Sequence, residues 1–119
     1  IRTFMSLPIY LQFNKNQFIQ SFYTSIFKKY DFVKSAGLYG SCVKGENTEE
    51  SDIDIWVKIN VTVDEKIASL TSEIKKKIKK AKLLFLTDKK LEIIKKDDEL
   101  FYHSLVFGSI ILYGEENVI

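Results

Sequence analysis

Cysteine, proline, arginine and glycine are all scarce in this chain of 119 residues. The single cysteine, Cys42, excludes an intramolecular disulfide and, on its own, a structural zinc site, and it fits a reducing compartment. One proline and five glycines exclude collagen-like and low-complexity architectures. The longest nearly uncharged stretch, Phe101 to Tyr113, is too short to span a bilayer. These absences predict a cytoplasmic domain without a membrane segment.

The remaining composition is that of a globular domain, with 45% hydrophobic and 29% charged residues. The length falls in the range of one domain, and neither a linker nor a repeat divides residues 1–119. Short apolar segments alternate with amphipathic ones along the chain. This order predicts an α/β or α+β domain in which helices pack on a small mixed β-sheet.

Hydrophobic periodicity and capping residues predict where each element lies. The predicted strands are Val33 to Tyr39, Asp52 to Ile59 and Leu83 to Thr87, and Ser109 to Tyr113 is either a fourth strand or a packed extension. The predicted helices are residues 15–30, a long helix from a Thr62 and Glu65 capping box through a stripe ending at Ala81, a helix capped by Asp88, and a last helix from Asp97 or Asp98.

Two aspartates at the start of the second predicted strand are the first candidate functional residues. Asp52 and Asp54 flank Ile53, and alternate residues of a strand project from the same face. Two carboxylates so close raise each other's pKa unless a cation compensates. Hard divalent cations prefer such oxygen ligands, so the pair predicts a Mg²⁺ site that could also take Mn²⁺.

A short glycine and serine motif precedes the aspartates at a fixed distance. Ten residues separate Gly40-Ser41 from Asp52, and Gly40 permits a tight turn while Ser41 offers a hydroxyl and an N–H to phosphate oxygens. Gly45 would let the returning chain approach the same ligand, and Ser51 can orient the carboxylates. The segment therefore predicts a site for a metal and a nucleotide.

This pattern, with Gly40-Ser41, Gly45 and Ser51-Asp52-Ile53-Asp54-Ile55, resembles the motif of the DNA polymerase beta-like nucleotidyltransferases. It is most similar to the small stand-alone minimal nucleotidyltransferases of archaea and bacteria. The resemblance implies that Gly40 and Ser41 contact a nucleoside triphosphate, with ATP favoured, and that Asp52 and Asp54 bind catalytic metals. It also implies transfer of a nucleotidyl group, often AMP, to an acceptor hydroxyl.

The resemblance further implies a third carboxylate on the strand after the long helix. In the run Leu83 to Thr87 the expected position falls on Leu84, so this carboxylate is missing. Asp88 and Glu92 are the two acidic residues that could replace it. A catalytically degenerate domain, acting as a nucleotide-binding or antitoxin partner, is therefore the alternative to an active nucleotidyltransferase.

The net charge of +2 hides a strong local asymmetry, because eleven of the 18 basic residues lie between positions 66 and 96. The lysines indicate either a solvated helix face or a basic surface for RNA or an acidic protein. The single arginine, Arg2, gives no support for reading specific bases. Trp56 could stack on a nucleobase or belong to the core, and His103 is assigned no functional role.

The acceptor surface is expected to come from outside the domain, because 119 residues leave little room for a second one. A homodimer is one possible source. The resemblance implies another, a small helical partner of the type called HEPN, with this chain as antitoxin. The acceptor is then a partner protein or RNA.

Overall fold

The computed structural model describes residues 25–40, 52–60 and 63–114 of the chain. In these ranges four strands form one mixed sheet, in the order β3-β2-β1-β4. The strands are β1 (Val33–Tyr39), β2 (Ile53–Ile59), β3 (Ala81–Leu86) and β4 (Ile110–Gly114), and the helices are α1 (Asp64–Lys77), α2 (Asp88–Asp97) and α3 (Glu99–Gly108). β1 is antiparallel to β2 and β4, whereas β2 and β3 are parallel. The predicted mixed sheet with packed helices is confirmed.

Helices cover both faces of this sheet. On one face α1 inserts Leu70 and Ile74 into the larger hydrophobic cluster, which also contains the alternating isoleucine and valine side chains of β2. On the other face Leu91 of α2 and Leu105 of α3 surround Trp56. Because successive side chains of β2 point to opposite faces, the strand that holds Asp54 contributes to both clusters. The β2 side chains in the larger cluster are Ile53, Ile55, Val57 and Ile59.

The helix α1 begins one residue later than the predicted capping box and ends before its apolar stripe does. Val63 occupies the N-cap without a side-chain hydrogen bond, so the predicted Thr62 capping box is wrong, and Thr62 itself lies outside the described residues. At the other end Ile78 is extended, and Ala81 begins β3 instead of extending the helix. Ala81 is buried in the same cluster as Ile74. The apolar residues of the sequence therefore keep a helical spacing beyond the last residue of the helix.

The other helix boundaries lie close to their predicted positions. Thr87, not Asp88, caps α2, because the Thr87 side chain accepts a hydrogen bond from the Lys90 N–H. Asp98 caps α3 as predicted. Of the helix predicted over residues 15–30, the described part is helical at 25–27 and turns at 28–29, and the earlier residues lie outside the described ranges.

The C-terminal segment and the helix lengths complete the fold. β4 pairs with β1, so the segment predicted as a strand or a packed extension is a strand. α1 has 14 residues and the other two helices have 10 each. Among the described residues no helix is long and apolar enough to cross a membrane.

Candidate metal and nucleotide site

The two aspartates meet at the N-terminal end of β2, a central strand of the sheet. Asp52 stands immediately before the strand and is exposed, whereas Asp54 lies within it and is half-buried. Ile53 between them points into the larger core, which fixes the rotation of the strand. Asp54 therefore projects from the face that holds Trp56.

The environment of Asp54 opposes its negative charge. Burial raises the pKa of its carboxyl group, the nearby ammonium of Lys82 lowers it, and the charge of Asp52 raises it again, with a net increase. A site that disfavours two neighbouring anions gains stability when a cation binds between them. The pair is thus electrostatically prepared for a positive ligand.

Gly40 lies against Asp54. It follows β1 with a φ of +75°, in the left-handed region that favours glycine. A Cβ atom at this position would stand 2.5 Å from Oδ2 of Asp54. The absence of a side chain at Gly40 thus makes room for the carboxylate.

Replacing Gly40 with alanine is expected to lower the free energy of unfolding by about 1–2 kcal/mol, the cost of a left-handed residue with a Cβ. The same Cβ must displace the Asp54 carboxylate, so Mn²⁺ affinity should fall as well. Urea unfolding and a Mn²⁺ titration measure the two effects. Gly108→Ala is the matched control, because a Cβ there meets nothing within 4 Å. Equal results for the two variants would contradict the contact with Asp54.

Tyr39 is a neighbour of Asp54 that the sequence did not single out. It pairs with Asp54 across β1 and β2, and burial together with the charge of Asp54 raises the pKa of Tyr39 to about 12. Its ring also makes an edge contact with Phe101 of α3, with centroids 6.1 Å apart. Tyr39 therefore links the aspartate site to the helical layer and stays protonated at neutral pH.

Lys82 is the second neighbour that was missed. In the parallel register of β2 and β3, Lys82 pairs with Asp54 and Leu84 pairs with Trp56. The residue beside the aspartates is therefore Lys82, and Leu84 packs two positions further along against the Trp56 cluster. The sequence prediction began this strand at Leu83, which left Lys82 in the preceding turn.

Neither acidic residue proposed as a replacement for the third carboxylate acts on Asp54. Asp88 accepts a hydrogen bond from the buried Lys58 Nζ at 2.6 Å. Lys58 lies four residues along β2 from Asp54, which corresponds to about 13 Å of strand. Glu92 is exposed on α2, and the charges that shift the pKa of Asp54 are those of Lys82 and Asp52.

The other predicted residues divide into buried, exposed and undescribed ones. Trp56 is fully buried and donates a hydrogen bond from Nε1 to Ser109 Oγ, so it belongs to the core and is not available to stack on a base. His103 is exposed. The remaining residues of the motif lie outside the described ranges, so their roles stay predictions: Ser41, Cys42, Gly45 and Ser51.

The described donor set fits one hard divalent cation. Asp52 and Asp54 supply carboxylate oxygens, and Mg²⁺ is commonly bound by one or two carboxylates together with substrate phosphates. Within residues 25–40, 52–60 and 63–114 no three or more histidine, cysteine or acidic side chains are placed so that they could hold a metal ion together. Phosphate and water oxygens can complete the coordination of a cation held by these two carboxylates.

Comparison with solved structures finds several chains similar to this one, and the two with TM-scores above 0.5 share its fold. A crystal structure of a toxin–antitoxin complex with AMP-PNP is 19% identical with a TM-score of 0.56, and a mutant MntA-HpeT toxin–antitoxin complex is 16% identical with a TM-score of 0.54. Each match covers 87% of this chain and 75% of the other. A re-refined structure of tri-AMPylated Shewanella oneidensis HEPN toxin with MNT antitoxin matches at 18% identity and a TM-score of 0.49, over 88% of this chain and 73% of the other.

Family membership follows from the sequence match. No curated protein matches the chain at a significant level. Residues 23–117, however, match the family described as "Polymerase beta, Nucleotidyltransferase", and this range includes the sheet, Gly40 and both aspartates. The chain belongs to the polymerase beta nucleotidyltransferase family.

Proposed function

We propose that the chain is a minimal nucleotidyltransferase that binds ATP with Mg²⁺ or Mn²⁺ and transfers AMP to a HEPN-type partner protein. The observation that supports this most directly is the Asp52 and Asp54 pair at the end of β2, with Gly40 packed on Asp54. Family membership supports the reaction type. The toxin–antitoxin complexes with the same fold, one of them with AMP-PNP, support a toxin as the partner and an adenine nucleotide as the ligand. The HEPN type of the partner is what the resemblance of the motif implies.

The reaction requires no nucleophilic side chain from this chain. A hydroxyl oxygen of the acceptor attacks the α-phosphorus of ATP, the bond to the bridging oxygen breaks, and pyrophosphate leaves while the hydroxyl proton passes to a base or water. Asp52 and Asp54 would hold the divalent cation, which when bound stabilises the charge of the transferring phosphoryl group. Catalysis then depends chiefly on positioning and electrostatics.

The residues of the glycine and serine motif have supporting roles in this proposal. Gly40 gives the backbone a close approach to the Asp54 carboxylate and to phosphate oxygens. Ser41 and Gly45 would line the phosphate site, and Ser51 would orient the carboxylates, as the sequence motif predicts. Tyr39, the strand partner of Asp54, contacts Phe101 of α3 beside the aspartates.

The proposal is tested by incubating the chain with a HEPN-type partner, Mg²⁺ and ATP radiolabelled at the α-phosphate. We expect label on the partner and none when the radiolabel is on the γ-phosphate, because pyrophosphate is the leaving group. Partner without this chain is the control. Label on added RNA instead of the partner would make RNA the acceptor and contradict the proposed acceptor class.

The alternative is a chain that binds nucleotide and its partner without transfer. Lys82 beside Asp54 favours it, because the described residues bring an ammonium instead of a third carboxylate to the pair. Calorimetry with AMP-PNP and Mg²⁺ together with the label-transfer experiment separates the two functions. Binding without label transfer would establish the alternative, and transfer would exclude it.

A further inference from the structure

Lys82 is fixed beside the aspartate pair by the alternation of β3. Ala81, Leu83 and Phe85 pack into the larger core, while Leu84 belongs to the cluster around Trp56 on the other face. Lys82 therefore shares the face of its strand partner Asp54, at the spacing of neighbouring strands, about 5 Å. Lys82 itself is exposed, and its positive charge is near enough to lower the pKa of Asp54.

The three charged side chains at this edge of the sheet sum to a single negative charge. Asp52 and Asp54 repel each other, and the ammonium of Lys82 partly offsets that repulsion, as the opposing effects on the Asp54 pKa show. One divalent cation reverses the net charge of the group. The phosphates of a bound nucleotide would have to hold a second cation against repulsion from both the first cation and Lys82.

We propose that Lys82 supplies a fixed positive charge that takes the place of a second divalent cation, so that the site holds one divalent cation for each nucleotide bound. The inference rests on the proposed function in that it assumes a nucleotide bound beside Asp52 and Asp54. It adds a determinant of metal stoichiometry and affinity that lies on β3, outside the glycine, serine and aspartate motif.

The number of cations is measured by titrating Mn²⁺ into the chain with one equivalent of AMP-PNP and following the electron paramagnetic resonance signal of free Mn²⁺. AMP-PNP without protein gives the blank. We expect one bound Mn²⁺ per chain in the wild type and two in Lys82→Asp, which adds a ligand and removes the ammonium. The control is Lys75→Asp on α1, whose packing residues lie on the opposite face of the sheet, and it should keep one. Two Mn²⁺ in the wild type, or one in Lys82→Asp, would overturn the inference.

A second measurement uses Mn²⁺ alone and needs neither nucleotide nor transfer. Lys82→Met removes the charge but keeps the length of the side chain, so Mn²⁺ should bind about tenfold more tightly, as expected for a unit charge removed about 6 Å from a divalent ion near water. Lys75→Met should differ from the wild type by less than twofold. Equal affinities in the two variants would contradict a role for Lys82.

These results separate the inference from the proposed function. If the Mn²⁺ measurements agree with expectation but no label reaches the partner, Lys82 has the proposed role and the transfer function is wrong. If label is transferred while the wild type holds two Mn²⁺, the function stands and the role of Lys82 is wrong. Thermal unfolding of the lysine variants checks that each is folded, as expected for exposed side chains.

Discussion

Asp54→Asn is expected to reduce nucleotidyl transfer to the partner by at least about a thousandfold, which corresponds to about 4 kcal/mol of transition-state stabilisation. Asparagine has nearly the shape of aspartate but lacks its charge, and it binds hard cations weakly. Under the proposed function, the variant therefore loses most of the electrostatic stabilisation of the transferring phosphoryl group. Initial rates with ATP radiolabelled at the α-phosphate measure this loss.

The same substitution should leave the fold intact or slightly more stable. Burial and the charge of Asp52 both oppose the charged form of Asp54, so a neutral side chain removes an unfavourable interaction in the cation-free protein. We expect an unchanged or higher midpoint in thermal unfolding without divalent cations. A lower midpoint would mean that loss of transfer reflects misfolding.

Asp97→Asn is the matched control for this experiment. Asp97 is the exposed last residue of α2, far along the chain from both aspartates of the motif. The control should keep the wild-type transfer rate within a factor of about two, as surface substitutions usually change little. Transfer by Asp54→Asn at a similar rate would contradict the assignment of the site to the aspartate pair.

The position of the aspartates could be predicted from sequence because it depends on one strand. Strict alternation from Ile53 to Ile59 fixed which residues of β2 share a face, and Gly40 marked the turn that follows β1. Both features are local. Neither depends on how the strand pairs with its neighbours.

Lys82 and the partner of Asp88 could not be predicted because both depend on the register between β2 and β3. Helical spacing continued through Ala81, so the end of α1 and the start of β3 were placed too late, and Lys82 fell outside the predicted strand. A shift of one residue in the register of β3 changes the strand partner and the face of every residue in it. Only the structure aligns Lys82 with Asp54 and brings Asp88 to Lys58.

The environment of Trp56 likewise depends on distant parts of the chain. The sequence left open whether it stacks on a nucleobase or lies in the core. In the structure its Nε1 donates a hydrogen bond to Ser109, 53 residues later, and its strand partner is Gly37, so it lies in the core. A Cβ on Gly37 would stand 2.6 Å from the indole ring, so the glycine provides the space that the ring occupies.

Trp56→Ala is expected to lower the free energy of unfolding by about 3–5 kcal/mol, the usual cost of removing a large buried aromatic side chain. The ring is fully buried among Leu86, Leu91 and Leu105, and its Nε1 hydrogen bond to Ser109 would be lost as well. Urea unfolding followed by circular dichroism measures the change, since the variant lacks the only tryptophan.

The control and a milder variant make this prediction testable even if Trp56→Ala does not fold. Phe107→Ala removes an aromatic side chain that is 71% exposed on α3 and should change stability by no more than about 0.5 kcal/mol. Trp56→Phe keeps most of the ring but loses the hydrogen bond, at an expected cost of about 1–3 kcal/mol. AMP-PNP affinity should be unchanged in Trp56→Phe, because the ring is enclosed by α2 and α3 and does not reach a ligand. A weaker affinity for AMP-PNP with full stability would instead assign Trp56 to the nucleotide.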